Sequence, residues 1–142
     1  MSVRDTIISK YGEPDAVYQS KHCEVWKIKQ DFPWFPAEKI FINKDFKAKL
    51  HTAFSNLERA GVHTEIKTFD GCFAMRSVRG KKAASLHSWA MAVDLNAATE
   101  KMLQKKTNWS GQFIAIMKAA GLFWGGDWRS RIDSMHFALY NG

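Results

Sequence analysis

Two stretches of this sequence set ionisable side chains inside runs that otherwise read as core. One is Ser85-Leu86-His87-Ser88-Trp89-Ala90-Met91-Ala92-Val93-Asp94-Leu95-Asn96, and the other is Asp133-Ser134-Met135-His136-Phe137. Burying an imidazole or a carboxylate among apolar neighbours is costly unless the group is paired or bound to a metal, so the fold must bring such groups together. Two imidazoles and one carboxylate form a donor set suited to zinc, with a fourth position left for water, and the remaining carboxylate is then a candidate base. The spacing constrains the path. Seven steps of straight strand at about 3.3 Å each would hold His87 and Asp94 roughly 23 Å apart. The chain must therefore bend between them, and Trp89 to Met91 is the place for the bend. Beyond it, Ala92 and Asp94 point to one face of a strand while Val93 and Leu95 point to the other.

The rest of the chain predicts a single α+β domain over residues 1–142 with a largely antiparallel sheet and flanking helices. Val3 to Tyr11 reads as a short helix stopped by Gly12 and Pro14, and Ala16 to Ile28 has a strand-like mix of Val, Tyr, Trp and Ile. Lys39 to Asn43 reads as a strand. Phe46, Leu50, Ala53, Phe54 and Leu57 then recur at helical spacing, with Asp45 placed as the cap and Gly61 at the end. His63 to Phe69 is expected as a strand, turning at Asp70-Gly71 into a second one over Cys72 to Val78. A second helix is expected to start at Ser110 and bury Phe113, Ile114, Met117 and Ala120 before Gly121. A last strand falls within Met135 to Tyr140.

The 142 residues are 46% apolar and 25% charged, a globular composition with no apolar run long enough to span a bilayer. With no basic and apolar leader at Met1 to Asp5, a cytosolic product is expected, and Cys23 and Cys72 are expected as two thiols. Twenty-one Lys and Arg against fourteen Asp and Glu leave a net charge of +7. That field favours polyanions such as an anionic cell wall or nucleic acid, and charge alone does not choose among them. His22, His51 and His63 lack the company of His87 and His136 and read as ordinary structural or surface residues. Lys81-Lys82 and the group Lys101, Lys105, Lys106 read as solvated faces.

Ser-x-His at 85–87, Asp seven positions after that His with Ala two before it, and a later Asp-x-x-His at 133–136 together resemble the VanY-type D-alanyl-D-alanine carboxypeptidase family. That zinc peptidase family includes phage L-alanyl-D-glutamate endopeptidases, and its fold is shared with the hedgehog signalling domain. Phe73 to Gly80 is similar to the strand in which members carry a substrate-facing arginine, so the motif-bearing core runs over about 64–139. The resemblance implies one zinc per chain held by His87, Asp94 and His136, with Asp133 as general base. It also implies Arg76 on the oxyanion or a substrate carboxylate, with Arg79 as the competing choice, and Ser85 as a hydrogen-bonding group in the cleft. Trp89 and Trp128 are candidate cleft walls beside a competing role as core aromatics. Where the family carries glycine this chain has Ala90, and a left-handed backbone there would cost on the order of 1–2 kcal/mol.

The resemblance thus implies a metallopeptidase acting on the stem peptide of bacterial peptidoglycan, as an endopeptidase or a carboxypeptidase. Without an export signal a phage endolysin is expected. Such a lysin is a monomer without a specific nucleic-acid partner, held in the host cytoplasm until the membrane opens. Two other classes remain open: a non-catalytic zinc domain of the same fold serving as a binding or phage structural module, and a basic nucleic-acid-binding domain.

Overall fold

A computed structural model describes residues 1–75 and 84–142 of the chain. Helix α1 (Val3–Tyr11) opens with a reciprocal capping box between Ser2 and Asp5 and ends at Gly12. Helix α2 (Ala16–His22) starts where the Asp15 carboxylate accepts the Tyr18 N–H, and leads straight into strand β1 (Cys23–Trp26). The strand expected from Ala16 is thus half helix, because the Asp15 cap nucleates a turn that Val17 and Tyr18 would not favour on propensity alone. After the one-turn helix α3 (Ile28–Asp31), strand β2 (Ile40–Asn43) pairs antiparallel with β1, Val25 opposite Phe41.

Helix α4 (Lys44–Ala60) buries the expected stripe of Phe46, Leu50, Ala53, Phe54 and Leu57 and closes on a left-handed Gly61. Its cap is Asn43, whose side chain accepts the Phe46 N–H, and not Asp45, which instead accepts the Tyr11 hydroxyl. The stretch His63 to Phe69 is not a strand. A single 3-10 turn (His63–Glu65) comes first, and the N–H groups of Lys67 and Thr68 donate to the Asn96 side chain at 2.7 and 3.0 Å. A side chain thus takes the place of a partner strand, and only Phe69–Gly71 forms strand β3. Asp70 and Gly71 lie within β3 at a bulge, not in a hairpin turn, and Cys72 to Met75 follow without strand pairing. The expected strand beyond Met75 and the basic loop at Lys81-Lys82 lie outside the described residues.

Strand β4 (Ala92–Leu95), helix α5 (Gly111–Ala119), strand β5 (Phe123–Trp124) and strand β6 (His136–Ala138) complete the fold. Ser110 caps α5 and is itself held by Glu65 through its N–H and its hydroxyl. Among the described residues the strands make two antiparallel sheets, β1-β2 and a four-stranded sheet in the order β3-β4-β6-β5. Helices α4 and α5 pack together, and the buried side chains form one core cluster that includes both sheets. The outcome is the expected α+β architecture. No helix among the described residues is long and apolar enough to cross a membrane.

Candidate functional site

Strand register builds the centre of the site. β4 and β6 pair with Ala92 opposite Ala138, Val93 opposite Phe137 and Asp94 opposite His136. Alternation then puts Val93 and Phe137 on one face, where Phe137 packs on Trp109 and Phe113. Asp94 and His136 share the other face as a direct cross-strand pair. His87 arrives from outside the sheet. It sits in a 3-10 turn (Leu86–Trp89) that Ser85 caps by accepting the His87 N–H, and the chain reverses at Ala90 with φ 53° and ψ 37°. The bend expected between Trp89 and Met91 is therefore real, and it carries the left-handed residue that the Gly-to-Ala departure made costly.

The three side chains converge. His87 Nε2 lies 3.2 Å from Asp94 Oδ2, His136 Nδ1 lies 3.4 Å from Asp94 Oδ1, and one donor atom from each residue falls within 4.8 Å of the others. Among the described residues no other group of three His, Cys, Asp or Glu meets that condition. The far nitrogens are fixed by backbone: His87 Nδ1 donates to the Cys72 carbonyl and His136 Nε2 to the Gly142 carbonyl, each at 2.8 Å. Those bonds put the protons on the outer nitrogens and turn a lone pair of each ring inward. His87 and His136 are buried, yet His87 Nε2 and Asp94 Oδ1 make no hydrogen bond. Inward lone pairs and a carboxylate oxygen left without a donor are the environment of a cation, so the residues fit a metal. Burial would raise the Asp94 carboxyl, but its close approach to the His136 and His87 rings outweighs this and holds the group well below the usual carboxylate range.

The bend is held from the amino-terminal half of the chain, where the sequence carries no motif. The Tyr18 hydroxyl, buried, donates to the Trp89 carbonyl and accepts from Asn43 Nδ2, and the Asn43 N–H donates to the Ala90 carbonyl at 3.0 Å. Both cysteines are free and buried, with Cys23 Sγ facing the Trp89 carbonyl and Cys72 Sγ the Ala90 carbonyl. Burial pushes both thiols up, which keeps them protonated donors and not ligands. Trp89 is not a cleft wall. Its ring is 1% exposed and its Nε1 donates to the Gly12 carbonyl, so it anchors the bend to the end of α1.

Asp133 lies on the turn entering β6, where its carbonyl accepts the His136 N–H at 3.1 Å and its own N–H donates to the Gly125 carbonyl at 3.0 Å. A side chain at Gly125 would stand 2.3 Å from the Asp133 carbonyl oxygen, so this close approach admits only glycine. The next carbonyl, that of Ser134, accepts from both Trp109 Nε1 and Trp124 Nε1, at 2.9 and 2.8 Å. Asp133 is half-buried on a turn fixed from three sides. Ser85 is buried and spends its hydroxyl on the His87 turn. Trp128 is half-buried with its ring centroid 5.2 Å from that of His136. Arg76 and Arg79 lie outside the described residues.

Sequence reasoning missed Tyr18, Asn43 and Asn96, which hold backbone and not ligand. Residues 79–139 match the sequence model of the D-alanyl-D-alanine carboxypeptidase family. The match contains His87, Asp94, Asp133 and His136 together with the left-handed bend, and it begins after Arg76.

Proposed function

We propose, from the match of residues 79–139 to the D-alanyl-D-alanine carboxypeptidase family, that this chain is a zinc-dependent peptidase acting on the stem peptide of bacterial peptidoglycan as a phage endolysin. The observation that carries the reading is the convergence of three donor atoms within 4.8 Å, two of them on buried imidazoles whose outer nitrogens are already committed to backbone carbonyls.

His87 through Nε2, Asp94 through a carboxylate oxygen and His136 through Nδ1 would hold the ion, and the nitrogen-rich donor set suits zinc over calcium or magnesium. When bound, such an ion supplies Lewis acidity, lowering the pKa of a water and polarising a carbonyl. Asp133 is the chain's proton carrier: it accepts the proton of the attacking water on a carboxylate oxygen and returns it to the departing amine. Its backbone is fixed by Gly125 and, through Ser134, by two indoles, so the carboxylate is offered from a rigid turn and needs little ordering. Arg76, or in its place Arg79, supplies positive charge to the developing oxyanion or to a substrate carboxylate. Trp128, half-buried beside His136, is the aromatic candidate for substrate contact. A net charge of +7 favours residence on an anionic wall.

Mass spectrometry of purified muropeptides after digestion, with and without chelator, tests the reading. Release of L-Ala-terminated fragments marks an endopeptidase and release of D-Ala a carboxypeptidase. Either product should vanish with chelator and in His136→Ala. Bound zinc with no product from any muropeptide would replace this proposal with a non-catalytic zinc domain.

A further inference from the structure

The family match stops at Leu139, yet the segment after it touches the centre of the site. Tyr140, Asn141 and Gly142 belong to no helix or strand. His136 is buried, and the nitrogen it turns away from Asp94 finds its acceptor in the Gly142 carbonyl at 2.8 Å. Two contacts hold that carbonyl over the ring. Trp128 Nε1 donates to Asn141 Oδ1 at 2.9 Å, and the same indole packs against the His136 ring at a centroid distance of 5.2 Å. Gly142 itself lies against Leu86, the neighbour of His87, so closely that a Cβ there would stand 3.0 Å from Leu86 Cδ1. The segment therefore reaches both the turn that bears His87 and the strand that bears His136.

We infer that Tyr140–Gly142 is part of the metal centre: the Gly142 carbonyl, latched over His136 by the Asn141–Trp128 hydrogen bond, fixes the ring tautomer that offers Nδ1 to the cation. The chemistry is asymmetric. A neutral imidazole carries one proton, and only when that proton sits on Nε2 does Nδ1 present a lone pair to the ion. The bond is part-buried, and the acceptor that the nitrogen finds is protein. Without it the ring loses a fixed acceptor or exchanges tautomers, and both weaken ligation. Trp128 thereby gains a role beside that of cleft wall: it is a positioning residue that acts on His136 through Asn141.

The inference rests on the metal reading of the same site, and the experiment separates the two. Zinc affinity is measured by competition with a chromophoric chelator for the full chain, for a chain stopped after Tyr140, and for Asn141→Ala. Long-range nitrogen–proton NMR of the zinc-loaded proteins reads the His136 tautomer. The full chain should show a single Nε2-protonated form. Stopping at Tyr140 should weaken zinc binding by about 10- to 100-fold, the usual effect of losing an outer partner of a ligand, and Asn141→Ala should weaken it by a smaller factor in the same direction. Melting in excess chelator tells ligation from folding, and Asn141→Ala keeps the test decisive if the shortened chain does not fold. Full zinc affinity with an unchanged His136 tautomer in the variants overturns this inference and leaves the peptidase reading standing. Failure of the full chain to bind zinc overturns both.

Discussion

Ala90 is the residue on which the geometry of the site turns. Its backbone is left-handed and its methyl group fully buried, a combination that costs on the order of 1–2 kcal/mol for an L-residue. The conformation cannot relax, because the Trp89 and Ala90 carbonyls are taken by Tyr18 and Asn43 and the Met91 carbonyl accepts the Leu139 N–H at 2.9 Å. Ala90→Gly should relieve the strain, give back about 0.8 kcal/mol of methyl burial and add chain entropy to the unfolded state, for a net change within about 1 kcal/mol. Ala90→Val is the sharper test. A β-branched side chain is a poor occupant of that backbone region and has no room there, so urea unfolding should show a loss of at least about 2 kcal/mol. Zinc affinity should fall with it, since the turn that carries His87 must shift. Wild-type stability and wild-type zinc affinity in Ala90→Val would mean that the bend is softer than its hydrogen bonds imply.

At the scale of elements, the site joins a β4–β6 strand pair to an irregular turn, and the two differed in how far the sequence revealed them. Alternation in Ala92 to Leu95 displayed which side chains share a face, and the closing run Met135 to Tyr140 put His136 on a strand. Their direct pairing across β4 and β6 was open until the register was known. Helix α2 was hidden because its start depends on one side-chain cap from Asp15, whereas Val17 and Tyr18 carry a β-like signature. His63 to Phe69 misled for the opposite reason: it alternates like a strand, but the Asn96 side chain satisfies the backbone that a partner strand would have paired. Helix α2 matters because it delivers Tyr18 to the bend. Tyr18→Phe strips a buried carbonyl and a buried amide of their shared partner, so the protein should lose about 1–3 kcal/mol by thermal or urea unfolding. Zinc binding should weaken as well, although Tyr18 is outside the family match. Loss of stability with zinc affinity intact would reduce α2 to a general packing element.

Across the whole molecule, the carboxylate at the centre ties global stability to pH. Asp94 is held below its ordinary value of 3.8 by His136 and His87 against the opposing effect of burial, and its side chain is 14% exposed. A carboxyl whose folded pKa is depressed binds its proton more readily when unfolded. Its stabilising contribution is therefore complete above the unfolded value and is lost as pH falls through it toward the folded one. In excess chelator, urea midpoints of the wild type should accordingly fall between pH 5 and pH 3, and Asp94→Asn should show a shallower fall over the same interval because it has no such proton to take up. On the proposed zinc reading, the ion should add to this at neutral pH. An ion that binds only the folded chain stabilises it by about 2.7 kcal/mol at a free concentration one hundred times its Kd, so the wild type should melt higher with zinc than with chelator. Asp94→Asn, which exchanges a charged ligand for a neutral amide, should lose most of that increment. The two effects come from one side chain that packs between β6 and the His87 turn, and they should disappear together. Equal acid slopes for the two proteins, together with equal zinc-induced shifts, would place the charge balance of this core somewhere other than Asp94.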